Sequence, residues 1–311
     1  MADAWTLYPR SALERARIGL DLIRTWVRVG PASRRGADRF DEVEAYCFFI
    51  GYPRSGTSLL GSLLDAHPDA VIAREMDAIR YVNARFDRAR LFHLLEENAS
   101  REAASGRRHT ASGYAYPVPG QWQGRHRTLR VIGDKQAAGS TIRLAKNPAL
   151  LDALRRTVGA PLRVIHVVRN PFDVIATMAR REAQNGGPDG TTGAPDLERA
   201  FLRFETLTAT VDRLSTELGD ELYPVAHERL VDDPQGELGA LCGWLGLSAS
   251  ADYLDACAAI VWTNPQRTRD RVTWPPELAR RVDALTADTP RLGGYSFHAD
   301  RPRRGAREPV V

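Results

Sequence analysis

Cysteine and lysine are scarce in this sequence of 311 residues, and it contains no long hydrophobic run. The three cysteines are odd in number and widely spaced, with no CxxC pair, which favours a reduced, cytoplasmic protein and predicts no metal site. No segment approaches the roughly 20 apolar residues of a transmembrane helix. Residues 7–29 are interrupted by too many charged side chains to be a signal peptide.

Neither sign of charge is in large excess. The chain has 43 Lys and Arg against 39 Asp and Glu, a formal net charge of +4. So small a charge is a weak reason to expect nucleic acid, and no basic patch is interleaved with aromatic residues, so no nucleic-acid partner is predicted. Only Lys135 and Lys146 are lysines, which makes the position of each informative.

Five short apolar runs alternate with helical patterns along most of the chain. This alternation predicts an α/β fold, a three-layer, mainly parallel sheet with flanking helices. The runs at 46–51 and 163–168 are apolar almost throughout, as in central strands buried on both faces. The predicted strands cover residues 46–51, 70–73, 130–133, 163–168 and 222–226.

We expect a single domain with a core over residues 46–290, an N-terminal helical segment over 1–45 and a C-terminal tail over 291–311. Residues 100–127 and 184–196 have the composition of loops, either substrate lids or plain surface loops. Oligomeric state is not readable from the sequence.

Residues 12–29 have the pattern of an amphipathic helix. Packing of its apolar side on the domain is the expected reason, and docking on a membrane surface is the alternative. The apolar positions are Leu13, Ile18, Leu20, Ile23 and Val27.

The most informative motif follows the first predicted strand, where a Gly/Ser/Thr loop leads into a helix over residues 51–58. Gly51 and Gly56 have the spacing of a phosphate-binding loop, but Thr57 stands where nucleoside triphosphatases have lysine. The positive charge is at Arg54 instead. Backbone N–H groups and the helix dipole at such a turn favour an anion, and an ordinary Gly-containing turn is the alternative.

A second motif follows the strand at 163–168. Asn170 is a suitable N-cap and Pro171 suits the first helical position, so a helix is predicted to begin here. Arg169 and Thr177 are a cation and a hydroxyl near its start. Arg181 lies one turn after Thr177 on the same face. A helix-entry salt bridge is the alternative role for Arg169.

Together the two motifs resemble those of the sulfotransferases that use 3′-phosphoadenosine 5′-phosphosulfate (PAPS). Residues 53–75, with the segment Leu63-Leu64-Asp65-Ala66-His67-Pro68, are most similar to the tyrosylprotein sulfotransferase branch and related bacterial enzymes. The resemblance implies a P-loop nucleotide-binding-like sulfotransferase fold with PAPS as co-substrate. It implies that the 5′-phosphosulfate is held by Arg54, Ser55, Gly56, Thr57 and Ser58.

The same resemblance implies roles for residues elsewhere in the chain. Arg169 and Thr177 correspond to the family's 3′-phosphate site, and the loop over 267–274 loosely resembles its late cofactor loop. Glu75 takes the place of the family's catalytic base and Lys135 that of the lysine at the leaving group. His227 stands where the family has tyrosine. The remaining predicted cofactor contacts are Arg181, Arg267, Thr268 and Arg269.

The resulting hypothesis is in-line transfer of a sulfuryl group from PAPS to an acceptor hydroxyl, with a carboxylate base and no metal. The acceptor is left open among a peptide tyrosine, a sugar, a lipid and a small-molecule alcohol. One alternative is a P-loop nucleotide kinase or triphosphatase, which the missing loop lysine disfavours. Another is a module that binds PAP, the desulfated product, without turnover. His67 and His93 are secondary base candidates, and His166 is expected to be a hydrogen-bonded core histidine.

Overall fold

The computed structural model describes residues 11–105, 116–186, 192–263 and 266–300. Within these ranges the chain forms five β-strands and twelve α-helices. The strands are β1 (Ala45–Gly51), β2 (Ala70–Arg74), β3 (Val131–Lys135), β4 (Leu162–Val168) and β5 (Leu222–Ala226). The helices are α1 (Ala12–Arg35), α2 (Thr57–Asp65), α3 (Ala78–Asn83), α4 (Arg88–Ala104), α5 (Ala137–Lys146), α6 (Ala149–Val158), α7 (Pro171–Gly186), α8 (Ala194–Leu218), α9 (His227–Asp232), α10 (Pro234–Trp244), α11 (Ala251–Ala259) and α12 (Pro276–Asp288).

The strands form one sheet in the order β2-β3-β1-β4-β5, and every neighbouring pair is parallel. The predicted α/β fold with a parallel sheet is therefore confirmed. Each predicted strand agrees with the observed one to within two residues at either end. The two strands predicted to be central, β1 and β4, are neighbours inside the sheet.

Side chains of β1 alternate between the two helical layers, as the period of two in a strand requires. Tyr46, Phe48 and Ile50 pack in the layer that contains α4, α6 and α8. Cys47 and Phe49 pack on the other side, with α2, α10 and α11. Both faces of the central strand are therefore buried, which explains its continuous apolar run.

Strand register determines which loops lie together. Gly51 at the end of β1 is opposite Val167 of β4, and Arg74 at the end of β2 is opposite Lys135 of β3. The carboxyl ends of parallel strands meet at one edge of the sheet, where α/β proteins bind ligands. The loops that carry Arg54, Glu75 and Arg169 therefore leave the sheet at the same edge.

The N-terminal helix packs on the domain as expected, but not through the expected side chains. Leu22 and Val29 of α1 pack against the Phe86 and Leu94 region beside α4. Four of the five apolar positions named from the sequence are exposed instead. These are Leu13, Leu20, Ile23 and Val27. Within the described part of the chain, no helix combines the length and hydrophobicity that a membrane crossing needs.

The two predicted loops contain less irregular chain than expected. Residues 100–104 continue α4, and α7 extends to Gly186 before α8 begins at Ala194. Residues from 116 onward pack on the domain, where the backbone N–H of Trp122 donates to the carbonyl of Ala66. Residues 106–115 and 187–191 of these loops lie outside the described residues.

The predicted C-terminal tail begins too early. Leu292 and Tyr295 are buried in a cluster with α7, α8 and α12, and Asp300 is ion-paired with Arg269. Residues 291–300 therefore belong to the core, because their apolar side chains cover α7. Residues 301–311 lie outside the described part of the chain.

Replacement of Gly133 tests the close contact between β3 and β1. A Cβ at residue 133 of β3 would overlap the backbone carbonyl of Cys47 in β1, so we expect Gly133→Ala to lower the free energy of unfolding by about 3 kcal/mol or more. Gly243→Ala is the matched control, because a Cβ there meets nothing within 4 Å. It should be neutral or stabilise α10 by up to about 1 kcal/mol. Urea unfolding measures both, and equal losses would contradict the packing described here.

Candidate active site

The loop between β1 and α2 has the geometry of an anion-binding turn. Arg54 has φ 68° and Gly56 has φ 102°, so both lie in the left-handed region. The Ser55 hydroxyl donates to the carbonyl of Tyr52 at 3.0 Å, which fixes the turn. The first turn of α2 contains no acidic residue, so no carboxylate of the helix itself offsets the positive end of the dipole that begins at Thr57.

Three predicted site residues meet beside this loop. The Lys135 ammonium donates to Glu75 Oε1 at 2.7 Å and to the Ser58 hydroxyl at 3.1 Å. The Lys135 side chain is only 4% exposed, whereas that of Glu75 is 39% exposed. Gly61 in α2 makes room for the lysine, because a Cβ there would lie 2.8 Å from Lys135 Cγ. The lysine is therefore held at the head of α2, against a carboxylate that solvent can reach.

The backbone that carries Glu75 is strained and held by its neighbours. Glu75 has φ 51° and Asp77 has φ 66°, a region that costs free energy for residues other than glycine. The N–H of Glu75 donates to the carbonyl of Lys135 at 3.1 Å. The carboxylate of Asp77 is ion-paired with Arg143 of α5. These contacts fix the direction in which the Glu75 side chain leaves the loop.

Asp134, which the sequence analysis missed, holds the same loop from β3. Its carboxylate accepts from the N–H of Met76 at 3.1 Å and from the N–H of Ala78 at 2.8 Å. Burial raises the pKa of Asp134 to about 7, although the two N–H donors and Lys135 act to lower it. Its place directly before Lys135 was the available signal, since an acid inside an apolar strand needs a buried partner.

Lys135 keeps Glu75 ionised. Burial acts to raise the pKa of Glu75, but the charge and hydrogen bond of Lys135, helped by Arg74 and Arg54, outweigh it and hold that pKa below its usual value. With this ion pair formed, Glu75 is a carboxylate with little affinity for a proton. A stronger base results only when the lysine is drawn elsewhere.

Arg169 joins the second motif to the first. Its guanidinium donates to the carbonyl of Arg54 at 3.3 Å and to the carbonyl of Gln266 at 2.9 Å. The loops that follow β1 and β4 are therefore in direct contact and border one crevice at the carboxyl end of the sheet. Asn170 accepts from the N–H of Phe172 at 3.0 Å and so caps the start of α7, as predicted.

Further along α7, Thr177 and Arg181 are both half-buried. The Thr177 hydroxyl donates to the carbonyl of Asp173 one turn earlier, at 2.7 Å. Arg267 is partly exposed beside this crevice and is ion-paired with Asp270 at 3.0 Å. The contacts of Thr177 and Arg267 are thus with near neighbours in the chain, not with Lys135 or Glu75.

Arg269 takes a different place from the predicted one. Its side chain is fully buried, bonded to the carboxylate of Asp173 at 2.5 Å, to Asp300, and to the carbonyl of Phe297 at 2.9 Å. Thr268 is buried as well. Arg269 therefore fastens the 3₁₀ turn Thr268–Arg271 to α7, and two carboxylates already hold its guanidinium.

His227 is buried against the anion-binding loop, since a Cβ on Gly56 would overlap its ring. Burial and the charge of Arg169 lower the pKa of His227 to about 3, so the ring is neutral. Its Nδ1 has no hydrogen-bond partner among the described residues. The neighbouring Glu228 accepts from the N–H of Asn170 at 3.0 Å, which ties α9 to the end of β4.

Among the described residues, the three other histidines named from the sequence have their contacts outside this site. His67 accepts from the N–H of Asp69 at 3.0 Å and lies 3.2 Å from the carbonyl of Ser248, while His93 lies 2.9 Å from Arg39. His166 is buried as predicted, but neither ring nitrogen has a partner among the described residues. It is therefore a core residue without the expected hydrogen bonds.

A small open cleft lies beside Lys135, between α2, β2 and the end of α4. Ser62 and Ile72 line its floor, and Arg74 and Glu102 lie at its rim. In the described ranges, no group of three or more His, Cys, Asp and Glu has the arrangement of a metal site. The cleft leads from solvent to Lys135.

The model of the sulfotransferase family matches residues 47–251. The chain belongs to the sulfotransferase family. No curated protein sequence matches it significantly. The enzyme class and fold predicted from the sequence are therefore confirmed: the protein is a sulfotransferase.

Solved sulfotransferases share the fold at low sequence identity. STF9 from Mycobacterium avium is 13% identical, with 93% of this chain and 92% of that chain covered and a TM-score of 0.51. The sulfotransferase domain of the curacin biosynthetic pathway is 16% identical, with 78% and 98% covered and a TM-score of 0.50. At these identities the likeness concerns the fold alone.

Asp134→Asn tests the tether on the Glu75 loop. The pKa near 7 lies above the usual value of about 3.9, so the stability that Asp134 contributes is complete below pH 4 and is lost as the pH rises through 7. Asparagine does not titrate and places an amide donor against a backbone donor. We therefore expect a loss of about 1–3 kcal/mol at pH 5 that shrinks by pH 8.

Guanidinium unfolding at the two pH values measures this difference. Asp288→Asn, at the exposed end of α12, is the control and should stay within about 0.5 kcal/mol of wild type at both. A cost of Asp134→Asn that is equal at pH 5 and pH 8 would show that this carboxyl does not titrate in between.

Proposed function

We propose that the protein transfers the sulfuryl group of PAPS to a hydroxyl of an acceptor, with Glu75 as general base. The observation that carries this proposal is the contact of Lys135 with both Glu75 and Ser58 at the start of α2. It unites a cation for the leaving group, a base and an anion-binding turn within hydrogen-bonding distance of one another.

The two ends of PAPS are anionic, and the crevice offers a cationic site for each. The loop N–H groups of residues 55–58, with Arg54, would hold the 5′-phosphosulfate. Arg169 would hold the 3′-phosphate with Thr177, and Arg181 and Arg267 border that end. Arg269 is left out of this set because Asp173 and Asp300 already hold its guanidinium, whereas Thr268 stays a predicted contact.

In the proposed reaction the acceptor oxygen forms a bond to sulfur while the bond from sulfur to the phosphate oxygen breaks. Glu75 takes the proton of the acceptor hydroxyl, and Lys135 stabilises the charge that develops on the departing phosphate of PAP. The balance needs no oxidant or metal. The cleft beside Lys135 is where the acceptor would approach.

The Lys135–Glu75 contact gives the base a dependence on the co-substrate. An anion in the loop competes with Glu75 for the ammonium group, and any weakening of that ion pair lets the pKa of Glu75 rise. Glu75 would then accept a proton more readily once PAPS is in place. Glu75 would therefore act as a base mainly when the co-substrate is bound.

Nucleotide preference tests the co-substrate. We expect PAP to stabilise the fold more than ATP or AMP at equal concentration, by about 2.7 kcal/mol at a hundredfold excess over its Kd. Arg169→Ala should weaken PAP binding by about 10- to 100-fold, since it removes charge-assisted hydrogen bonds. Arg280→Ala, on the exposed side of α12, is the matched control and should bind PAP normally. Thermal shifts as large with ATP as with PAP would favour the kinase alternative.

Glu75→Gln tests the base. Glutamine keeps the shape of the side chain but cannot take the proton, so single-turnover transfer should fall by about 10²-fold or more. PAP affinity should hold or rise, because Lys135 loses a competing carboxylate. Glu277→Gln makes the same change on the exposed side of α12, where Glu277 pairs with Arg280, and should leave the rate within about twofold.

The assay follows ³⁵S from labelled PAPS, first into an extract of the source cells to identify the acceptor and then with that acceptor, in EDTA throughout. A Glu75→Gln rate within threefold of wild type would remove Glu75 as the base. PAP binding with no labelled product from the wild-type protein would indicate a binding module, and a strict need for magnesium would indicate kinase-type chemistry.

A further inference from the structure

Helix α1 has two apolar faces, and the domain covers only one of them. The covered face contains Leu22 and Val29, which pack in one cluster with Leu94 of α4, and the half-buried Ile18 lies on the same side of the helix. Arg28 fastens the helix by a two-pronged ion pair with Glu97 of α4, at 2.7 and 2.8 Å. The helix is therefore firmly placed, so its opposite side has a fixed direction relative to the domain.

The opposite side carries a second apolar stripe, here called the outer face. Its members are Leu13, Leu20, Ile23 and Val27, which are 84%, 55%, 62% and 61% exposed. At 100° per residue they centre about half a turn away from the covered face and extend over about 21 Å of helix. So long a row of exposed aliphatic side chains needs a partner, whereas single exposed ones do not.

Charge identifies the partner. Arg17 and Arg24 run along one border of the outer face, and Trp26, 43% exposed, lies toward its other border. The acidic residues of α1 lie away from the stripe, and Asp21 is already paired with Arg80 at 3.1 Å. An aliphatic stripe bordered by arginines and an aromatic ring is the arrangement of a helix that lies in the surface of an anionic bilayer.

A second copy of the chain fits this face poorly. The stripe follows a heptad spacing, with Arg17 and Arg24 at the flanking positions that decide how two helices pair. In a parallel pair these arginines face Ala12, Gly19 and Trp26, which carry no charge. In an antiparallel pair they face each other and repel. The outer face therefore has enough apolar area for two copies to pair, but it lacks the acidic side chains that would have to lie opposite Arg17 and Arg24.

We propose that α1 docks the enzyme on an anionic lipid surface, with the outer face buried among the headgroups and α4 held above it. The residues Ala99 and Glu102, near the end of α4, line the cleft beside Lys135. Docking therefore sets this cleft at a fixed height over the bilayer. This inference does not depend on the proposed reaction, because it rests on α1 alone.

The test is co-sedimentation of the full chain with vesicles of phosphatidylcholine, with and without added phosphatidylglycerol. We expect binding to the anionic vesicles at least about tenfold stronger than to the neutral ones, and weaker binding in high salt. The double variant Leu20→Gln/Ile23→Gln should lose about tenfold or more of that binding. Arg17→Gln/Arg24→Gln should lose a similar factor on anionic vesicles only, at roughly fivefold per arginine.

Two matched controls separate the outer face from general stickiness. Leu202→Gln removes an aliphatic side chain that is 46% exposed on α8, and Arg280→Gln removes an exposed arginine on α12. Both should bind vesicles like wild type. All substituted side chains are exposed, and unchanged thermal unfolding verifies that the variants fold.

Two results would overturn the proposal. One is equal sedimentation of the protein with anionic and with neutral vesicles, or no sedimentation with either kind. The other is a stable dimer in lipid-free buffer, by light scattering, that Leu20→Gln/Ile23→Gln converts to a monomer, since the outer face would then belong to a second copy.

Discussion

The parallel register between β2 and β3 is the constraint on which the active site depends. Because Arg74 is paired with Lys135, the next residue of the β2 chain, Glu75, has to turn beside the lysine. The left-handed turn at Glu75 and the grip of Asp134 on the following N–H groups then decide where the carboxylate points. A shift of one residue in this pairing would separate the acid from the cation, since successive side chains of a strand face opposite sides.

The site treats its cations in two different ways. Arg169 bonds to backbone carbonyls, which orient the guanidinium, and the carboxylates of Asp173 and Glu228 act on its charge through space rather than by a direct ion pair. Lys135, in contrast, is matched by a carboxylate within hydrogen-bonding distance. The crevice can therefore attract a polyanion through its arginines while the cation at the reacting centre stays neutralised until that anion arrives. Strain in the backbone of Arg54 and Glu75 lies where this arrangement has to be held in place.

Sequence reasoning located most of the fold because the signals were local. Continuous apolar runs, the glycines at 51 and 56 and the cap at Asn170 each act within a few residues, whereas the roles of Glu75 and Lys135 were implied by the family resemblance. What it missed depends on contacts distant in sequence. Arg269 reads as a phosphate ligand until Asp173 and Asp300 are seen around it, and the apolar positions of α1 do not reveal which of two stripes meets the domain.

The chain has two lysine side chains, which differ in their exposure to solvent. Lys146 is exposed at the end of α5, whereas Lys135 is enclosed by Glu75, Ser58 and the turn at Gly61. A reagent that acylates primary amines can reach the exposed Lys146 but is hindered at the buried Lys135. The other basic side chains, the arginines and histidines, are not primary amines. The extent of acylation of Lys135 relative to that of Lys146 therefore measures how well the reacting centre is shielded from solvent.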